Sequence, residues 1–374
     1  APECAALTVA IGGVEAVHAA TGNIFLSGYT APKIAWLRAH EPAAYAAAVR
    51  FCLPHDYLNH WLTGAFVAEP GDASGTAYLD VRSRAYAPAV LAALDPGRDW
   101  ERALPLSVIG ALRPEAAEAL GLPAGIPVSA GGGDNMCAAI GVGAVVPGPV
   151  VMSLGTSGTA FGHAARPAVD PRLEVAAFCD STGGWLPLAC MLNCTIPLDW
   201  VRGLFGLERE AFDRLVTEVD PGASGLRFLP YLDGERTPNR PTPGGELVGL
   251  RSDHGRAEIA RAVLEGVTAG MAYGLAALRR TGMEPDRILL VGGGSRSDGW
   301  AALLADWLGL PIDRPDVAEA AARGAAIQAA HVIDGVPLLH QYGFDGHWEP
   351  RAAKTTATIE AAGAYAELIE THPR

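Results

Sequence analysis

Residues 126–161, IPVSAGGGDNMCAAIGVGAVVPGPVVMSLGTSGTAF, contain two glycine turns around which the rest of the chain is organised. The first turn, residues 131–133, is followed by Asp134, and no Asp, Glu, Lys or Arg occurs after it before Arg166. Consecutive glycines let a ligand approach the backbone closely, and a carboxylate at such a turn can accept a proton from a substrate hydroxyl. An isolated carboxylate in this setting is either structural or catalytic.

The second turn follows residues 150–154, an apolar run that predicts a buried strand. In Gly155-Thr156-Ser157-Gly158-Thr159 the glycines expose backbone N–H groups and three hydroxyls add donors, a combination suited to phosphate oxygens. Each turn also has an ordinary explanation: GGGD as a turn before a helix, and GTSGT as a plain hairpin. Taken together, the two turns indicate a site.

The length of 374 residues favours two domains. Hydrophobic residues make up 49% and charged residues 18%, with 45 glycines, which indicates an ordered α/β protein. The net charge of -13 argues against a nucleic-acid partner. Small anions remain possible ligands, because helix N-termini and backbone nests bind them without net positive charge.

Six cysteines without a CxxC pair indicate reduced core residues of a cytoplasmic protein. The uncharged stretch 135–162 is rich in glycine and contains Pro147 and Pro149, so it favours strand and turn over a lipid-facing helix. The N-terminus shows no basic leader region. We therefore expect no membrane partner, and the sequence leaves a homodimer open.

The first 120 residues predict many helices and few strands, whereas strands become frequent from Val150 onward. Helices are predicted at 2–20, 85–94, 195–204, 209–219, 257–282, 298–308, 317–333 and about 356–370. Strands are predicted at 150–154, 174–179, 185–191, 288–291 and from 311, with 228–238 as a polar loop.

A third glycine turn, residues 292–297 (GGGSRS), lies between a predicted strand and a helix, with Asp313 about 20 residues later. This spacing approaches the dinucleotide fingerprint, although the third glycine is absent, and it suits an adenosine against a helix N-terminus equally well. A dinucleotide-dependent oxidoreductase would have no use for GTSGT and an isolated Asp134. Phosphoryl transfer needs a nucleotide cradle, a phosphate cradle and a base, so we favour it and keep the oxidoreductase as the alternative.

Five segments resemble signatures of the FGGY carbohydrate kinases. They are 27–37 (first signature), 131–135 (catalytic-aspartate turn), 155–158 (phosphate motif), 229–238 (a loop typical of the pentulose-kinase branch) and 292–297 (adenosine motif). Their order and separation fit from about Thr21 to Gly335. The resemblance implies an α/β fold of two actin-like, ribonuclease H-like domains around a cleft. Its implied bounds are 1–147 for the sugar side, 148–340 for the ATP side and 341–374 for a terminal loop and helix.

The resemblance also implies a reaction, the transfer of phosphate from ATP to a sugar hydroxyl, with D-xylulose giving D-xylulose 5-phosphate. Asp134 is the implied general base, and Asn135 lies beside it near the sugar. The implied nucleotide-binding residues are Gly155, Thr156 and Ser157 for the phosphates, and Gly293, Gly294, Ser295 and Asp298 for the adenosine, with Thr195 and Asp199 nearby. No histidine has ligand spacing, so we expect no separate metal site and Mg²⁺ carried in with ATP.

The chain departs from the family pattern at its start, since it contains neither an Asp-x-Gly-Thr turn nor a Met-His-Gly segment. We therefore expect an incomplete first domain and impaired activity, because preorganised electrostatics supply most of the rate in phosphoryl transfer. A non-catalytic chain that still binds nucleotide is a further alternative. Cys137 and Cys194 are interpreted as packing residues, while Glu235 and Arg236 either shape the cleft or form a structural ion pair.

Overall fold

The computed structural model describes residues 2–100, 103–339 and 343–371, which form fifteen α-helices and thirteen β-strands. The helices are α1 (Pro2–Ile11), α2 (Val14–Thr21), α3 (Thr30–His40), α4 (Pro42–Ala47), α5 (Pro54–Thr63), α6 (Pro70–Ala73), α7 (Pro88–Leu94), α8 (Pro114–Leu120), α9 (Asp134–Gly141), α10 (Thr195–Phe205), α11 (Arg209–Leu215), α12 (Arg256–Arg280), α13 (Asp298–Leu308), α14 (Ala320–Asp334) and α15 (Ala352–Thr371). The strands are β1 (Leu79–Asp80), β2 (Ala85–Tyr86), β3 (Val108–Ala111), β4 (Pro127–Ser129), β5 (Pro149–Leu154), β6 (Gly158–Gly162), β7 (Val175–Ala176), β8 (Leu188–Met191), β9 (Arg227–Leu229), β10 (Glu246–Val248), β11 (Arg287–Val291), β12 (Ile312–Pro315) and β13 (Phe344–Trp348).

Contacts divide the chain into two units, of which unit 1 comprises Ala1–Val146, His163–Pro187 and Val317–His340. Several of its helices begin with proline or end at glycine. Proline stands in the first turn of α4, α5, α7 and α8, where its missing N–H is not needed. Glycine in the left-handed conformation ends α2, α5 and α8. These short helices bury Val17, Ile34 and Val90 in a common core.

The strands described in unit 1 are short. β1 pairs with β2 and β3 pairs with β4, both antiparallel. The prediction of many helices and few strands before residue 120 is therefore confirmed. The β3–β4 ladder matters most for function, because β4 ends at Ser129 and leads directly into the first glycine turn.

Unit 2 comprises Pro147–Gly162, Leu188–Asp316 and Gln341–Arg374 and is built on a mixed sheet. Its strands run in the order β13-β12-β11-β5-β6-β8. β11 is parallel to both β5 and β12, whereas β5–β6, β6–β8 and β12–β13 are antiparallel. Val150, Val151, Met152 and Leu154 of β5 are fully buried, which confirms the predicted strand.

The 25-residue helix α12 packs closely on the strands of unit 2. A side chain at Gly266 would overlap the carbonyl oxygen of Phe228 in β9, and one at Gly274 would overlap Met191 in β8. The C-terminal helix α15 is anchored to α12 by the Tyr365 hydroxyl, which donates to the carbonyl oxygen of Ala262 at 3.0 Å. Predicted helices 257–282 and 298–308 thus correspond to α12 and α13.

Several segments differ from what the sequence predicts. The helix predicted at 2–20 is divided by Gly12 and Gly13 into α1 and α2. Residues 85–94, predicted as one helix, begin with strand β2, and α7 starts only at Pro88, which suits a first helical turn. Part of the predicted polar loop 228–238 is strand β9, which pairs with β10. Strand β13 was not predicted, because its residues FDGHW lack a regular apolar alternation.

Among the described residues, none of the helices taken singly has the length and hydropathy of a membrane span. One pair bent by 79°, α1 with α2, meets the test by length and composition only.

Candidate active site

Asp134 is the first residue of α9 and directly follows the glycine turn 131–133. Its side chain is exposed, and its Oδ1 accepts hydrogen bonds from the backbone N–H of Asn135 at 2.7 Å and from Asn135 Nδ2 at 2.9 Å. Asn135 therefore orients this carboxylate and leaves it facing solvent. A group held this way is accessible to a substrate hydroxyl.

Polar side chains of unit 1 surround the turn itself. A Cβ at Gly131 would lie 2.5 Å from His55 Nε2, and one at Gly132 would lie 2.3 Å from Ser181 Oγ. The turn therefore requires glycine because the protein's own side chains approach it closely.

The polar group beneath the turn consists of His55, Asp72 and Glu69. His55 Nδ1 lies 3.4 Å from Asp72 Oδ2. Burial lowers the pKa of His55, but the neighbouring carboxylates of Asp72, Glu69 and Asp56 together outweigh this effect, so the pKa is raised. Burial also raises the pKa of Glu69 to about 7, although its carboxylate accepts bonds from the N–H groups of Gly71 and Asp72 at 2.8 and 2.9 Å.

Cys137 and Cys194 behave as packing residues. Burial raises the pKa of Cys137 to about 12 and raises that of Cys194 further, so neither thiol is a thiolate near neutral pH. All six cysteines are free thiols.

The second motif forms the loop of the β5–β6 hairpin, in which Leu154 faces Gly158. Thr156 and Ser157 project from this loop and are exposed. The carbonyl oxygens of Gly155 and Thr156 accept from the N–H groups of Thr195 and Cys194, at 3.1 and 3.2 Å. The hairpin explanation of GTSGT is thus correct, and its loop is also held against the start of α10.

Glu235 supports the segment that leads into α10. It is 4% exposed, and its carboxylate accepts from the N–H groups of Leu192 and Arg236 at 2.6 and 2.7 Å and from Asn193 Nδ2 at 2.9 Å. Burial raises the pKa of Glu235 despite these bonds. This carboxylate therefore organises loops, a role that the sequence did not reveal.

The third motif follows β11. Gly292 has φ 86°, and a Cβ there would lie 2.9 Å from the carbonyl oxygen of Leu154. By contrast, a Cβ at Gly293 would meet no atom within 4 Å. Ser297 then caps α13, its Oγ accepting from the N–H of Trp300 at 3.3 Å. The turn is therefore packed against β5 at Gly292, whereas the space beside Gly293 is empty of protein atoms.

A cavity of about 410 Å³ joins the second and third motifs, a size typical of small-molecule sites. Its lining includes the predicted residues Gly155, Thr156, Thr195, Asp199, Gly293 and Gly294. Ser157 is not in this lining. Neither is Ser295, whose Oγ donates to the Gly292 carbonyl at 2.6 Å, nor Asp298, which is paired with Arg314 at 2.9 Å.

The cavity also contains charged residues that sequence reasoning missed, Arg202, Arg209 and Asp213. Arg202 Nη1 donates to Asp199 Oδ1 at 3.0 Å, one turn away on α10. That spacing was available as a signal, because residues three apart share a helix face. The position of Arg209 and Asp213 depends on how α11 folds against the cavity, which the sequence does not show.

Within the described ranges, no group of three or more His, Cys, Asp or Glu side chains is placed to hold a metal ion.

Residues 1–141 match the N-terminal domain of the FGGY family of carbohydrate kinases, and residues 150–333 match its C-terminal domain. The chain belongs to the FGGY family of carbohydrate kinases. The predicted FGGY kinase fold is therefore confirmed. Because both matching domains belong to a kinase family, the dinucleotide-dependent oxidoreductase is no longer the alternative.

Individual FGGY proteins match over most of the chain. A xylulose kinase of Haemophilus influenzae is 39% identical over 85% of this chain and 66% of its own length, and one of Streptomyces coelicolor is 41% identical over 90% and 68%. The chain thus spans about two thirds of the length of these relatives. The crystal structure of a xyloylose kinase from Brucella ovis matches with a TM-score of 0.91 and 33% identity, over 99% of this chain and 77% of that one.

Proposed function

We propose that this protein transfers phosphate from ATP to a hydroxyl of D-xylulose, giving D-xylulose 5-phosphate. The substrate is taken from the relatives named above as xylulose kinases, at about 40% identity. The observation that carries the proposal is the exposed Asp134 carboxylate, which Asn135 orients at the start of α9. Asp134 is the proposed general base, and Asn135 the proposed neighbour of the sugar.

The proposed nucleotide site is the cavity of unit 2. Its apolar walls, Leu198, Phe212 and Trp300, suit an adenine, and its open glycine, Gly293, leaves room for the nucleoside. In the proposal, the phosphates lie along Gly155, Thr156 and Ser157, where hydroxyl and N–H donors suit phosphate oxygens.

We propose that Gly294, Ser295 and Asp298 complete the adenosine side, the last two through the shape of the turn and not by lining the cavity. Mg²⁺ would enter with ATP and neutralise phosphate charge when bound. Residues 1–147 form the proposed sugar side and 148–340 the proposed ATP side, with 341–374 as terminal loop and helix.

We also propose a cytoplasmic location, because six free thiols suit a reducing compartment. Sugar and ATP are the proposed partners, without nucleic acid or membrane. Sedimentation decides whether the chain forms a homodimer.

The test is ADP release from ATP and Mg²⁺ with D-xylulose, comparing the wild type with Asp134→Asn. Loss of a general base costs about 10²- to 10⁴-fold in rate, so kcat should fall at least about 100-fold. Asp253→Asn, at an exposed loop residue, is the matched control and should keep full activity. Asp134→Asn with more than about a tenth of wild-type kcat would refute the assigned base.

The activity of the wild type distinguishes the kinase from the non-catalytic alternative. Sugar-dependent turnover supports the kinase. ATP binding without turnover on any sugar supports the alternative of a non-catalytic nucleotide-binding protein.

A further inference from the structure

Two buried side-chain amides hold the backbone that leads into the Asp134 turn. Asn59 Nδ2, on α5, donates to the carbonyl oxygen of Ala130 at 2.9 Å. Gln328 Nε2, on α14, donates to the next carbonyl oxygen, that of Gly131, at 2.5 Å. Asn59 is 5% exposed and Gln328 only 1%. Two helices distant in sequence thus fix consecutive peptide groups.

Further contacts limit the movement of Gln328. Its Oε1 accepts from Ser129 Oγ, the last residue of β4, at 3.2 Å. One helical turn earlier on α14, Gly324 lies so close to α9 that a Cβ there would be 1.7 Å from the carbonyl oxygen of Cys137. Because both helices are in contact at backbone distance, the backbone of α14 that carries Gln328 is fixed against α9.

The fixed carbonyl of Gly131 lies three residues before Asp134, and the same turn begins α9. A reacting group must be held within about 0.5 Å of its productive position, and a 1 Å error can cost about 100-fold in rate. The hydrogen bonds to the carbonyl oxygens of Ala130 and Gly131 therefore help to determine the position of the Asp134 carboxylate.

We propose that Gln328 and Asn59 are positioning residues for Asp134, which they locate by fixing the two carbonyl groups before the turn. The proposal rests on the proposed function, in which Asp134 is the general base.

The test uses isosteric replacements of amide by acid, Gln328→Glu and Asn59→Asp. The matched control is Asn23→Asp. Asn23 is also a buried amide of unit 1, 4% exposed, and it exchanges two hydrogen bonds with the backbone of Ala177, at 2.7 and 2.9 Å. All three variants replace one buried donor, so their melting temperatures should fall by similar amounts.

Only the variants at the turn should lose catalysis. We expect kcat with D-xylulose to fall about 100-fold for Gln328→Glu, with the KM for ATP unchanged. Asn23→Asp should keep kcat within about twofold, because its hydrogen bonds are made with Ala177, next to β7, and not at the turn. Equal kcat in Gln328→Glu and Asn23→Asp would overturn the proposal.

Amide hydrogen exchange of peptides covering residues 128–137 supplies a readout that needs no turnover. The turn should exchange at least about tenfold faster in Gln328→Glu than in the wild type or in Asn23→Asp. If the wild type phosphorylates no sugar, the proposed function fails, and unchanged exchange would overturn the positioning role separately. Gln328→Met, apolar and of equal length, replaces Gln328→Glu should the acid variant fail to fold, with the same expectations.

Discussion

Replacing Gly324 by alanine tests the close contact between α14 and α9 in unit 1. An ideal Cβ at Gly324 would lie 1.7 Å from the carbonyl oxygen of Cys137 and 2.8 Å from the N–H nitrogen of Gly141. Both are backbone atoms of α9, so no side-chain rotation can relieve the overlap. α9 and α14 must separate locally by about 1.3 Å to reach a 3.0 Å contact.

The size of the effect follows from two opposing contributions. Overpacking a buried contact costs about 1–3 kcal/mol, and the upper value applies here because only backbone can move. The higher helix propensity of alanine offsets about 1 kcal/mol of this loss in the free energy of unfolding. We therefore expect Gly324→Ala to lower the free energy of unfolding by about 2 kcal/mol. Because α9 begins with Asp134, the same displacement should lower kcat about 100-fold.

Urea denaturation measures the stability, with Gly363→Ala as the matched control. Gly363 lies inside helix α15 and is exposed, and a Cβ there would meet no atom within 4 Å. That variant should gain about 0.5–1 kcal/mol from helix propensity alone. The reasoning would be refuted if Gly324→Ala proved as stable as the wild type or more stable.

Three further perturbations test other parts of the structure. Tyr365→Phe removes a hydroxyl that bonds to buried backbone groups of α12 and β9, so urea denaturation should show a loss of about 1–3 kcal/mol; no loss would contradict the anchoring of α15. Burial raises the pKa of Glu69 to about 7 in the folded protein, above its ordinary 4.5, so stability should fall as pH rises through this window. Glu69→Gln should flatten that fall between about pH 5 and pH 8, and an undiminished slope would assign it to another group. Gly293→Val should raise the KM for ATP about tenfold with little change in melting temperature, because it fills open space in the cavity; an unchanged KM would count against the nucleotide site.

The sequence predicted the elements whose signals are local. The buried strand β5 and the helix α13 each follow from a short apolar run or a glycine turn, and α9 agrees with the ordinary explanation of GGGD as a turn before a helix. The resemblance of five segments to FGGY signatures then identified the family.

Contacts between distant segments could not be predicted in this way. Gln328 is 197 residues from Gly131, and neither position carries a pattern that points to the other. Likewise, the contact of the second motif with α10 depends on the backbone N–H groups of Cys194 and Thr195, which any residue except proline supplies. Such backbone contacts become visible only once the fold brings the segments together.

The two triple-glycine turns look alike in sequence but have different surroundings. At the first turn, residues 131–133, the side chains of His55 and Ser181 occupy the space in which a Cβ of Gly131 or Gly132 would lie. At the other triple-glycine turn, residues 292–294, a Cβ on Gly293 would meet nothing within 4 Å, and this glycine lines the cavity. The first turn therefore offers a ligand the side chain of Asp134, whereas residues 292–294 offer it the backbone itself. This difference suits a base for a hydroxyl at one turn and a cradle for a nucleotide at the other.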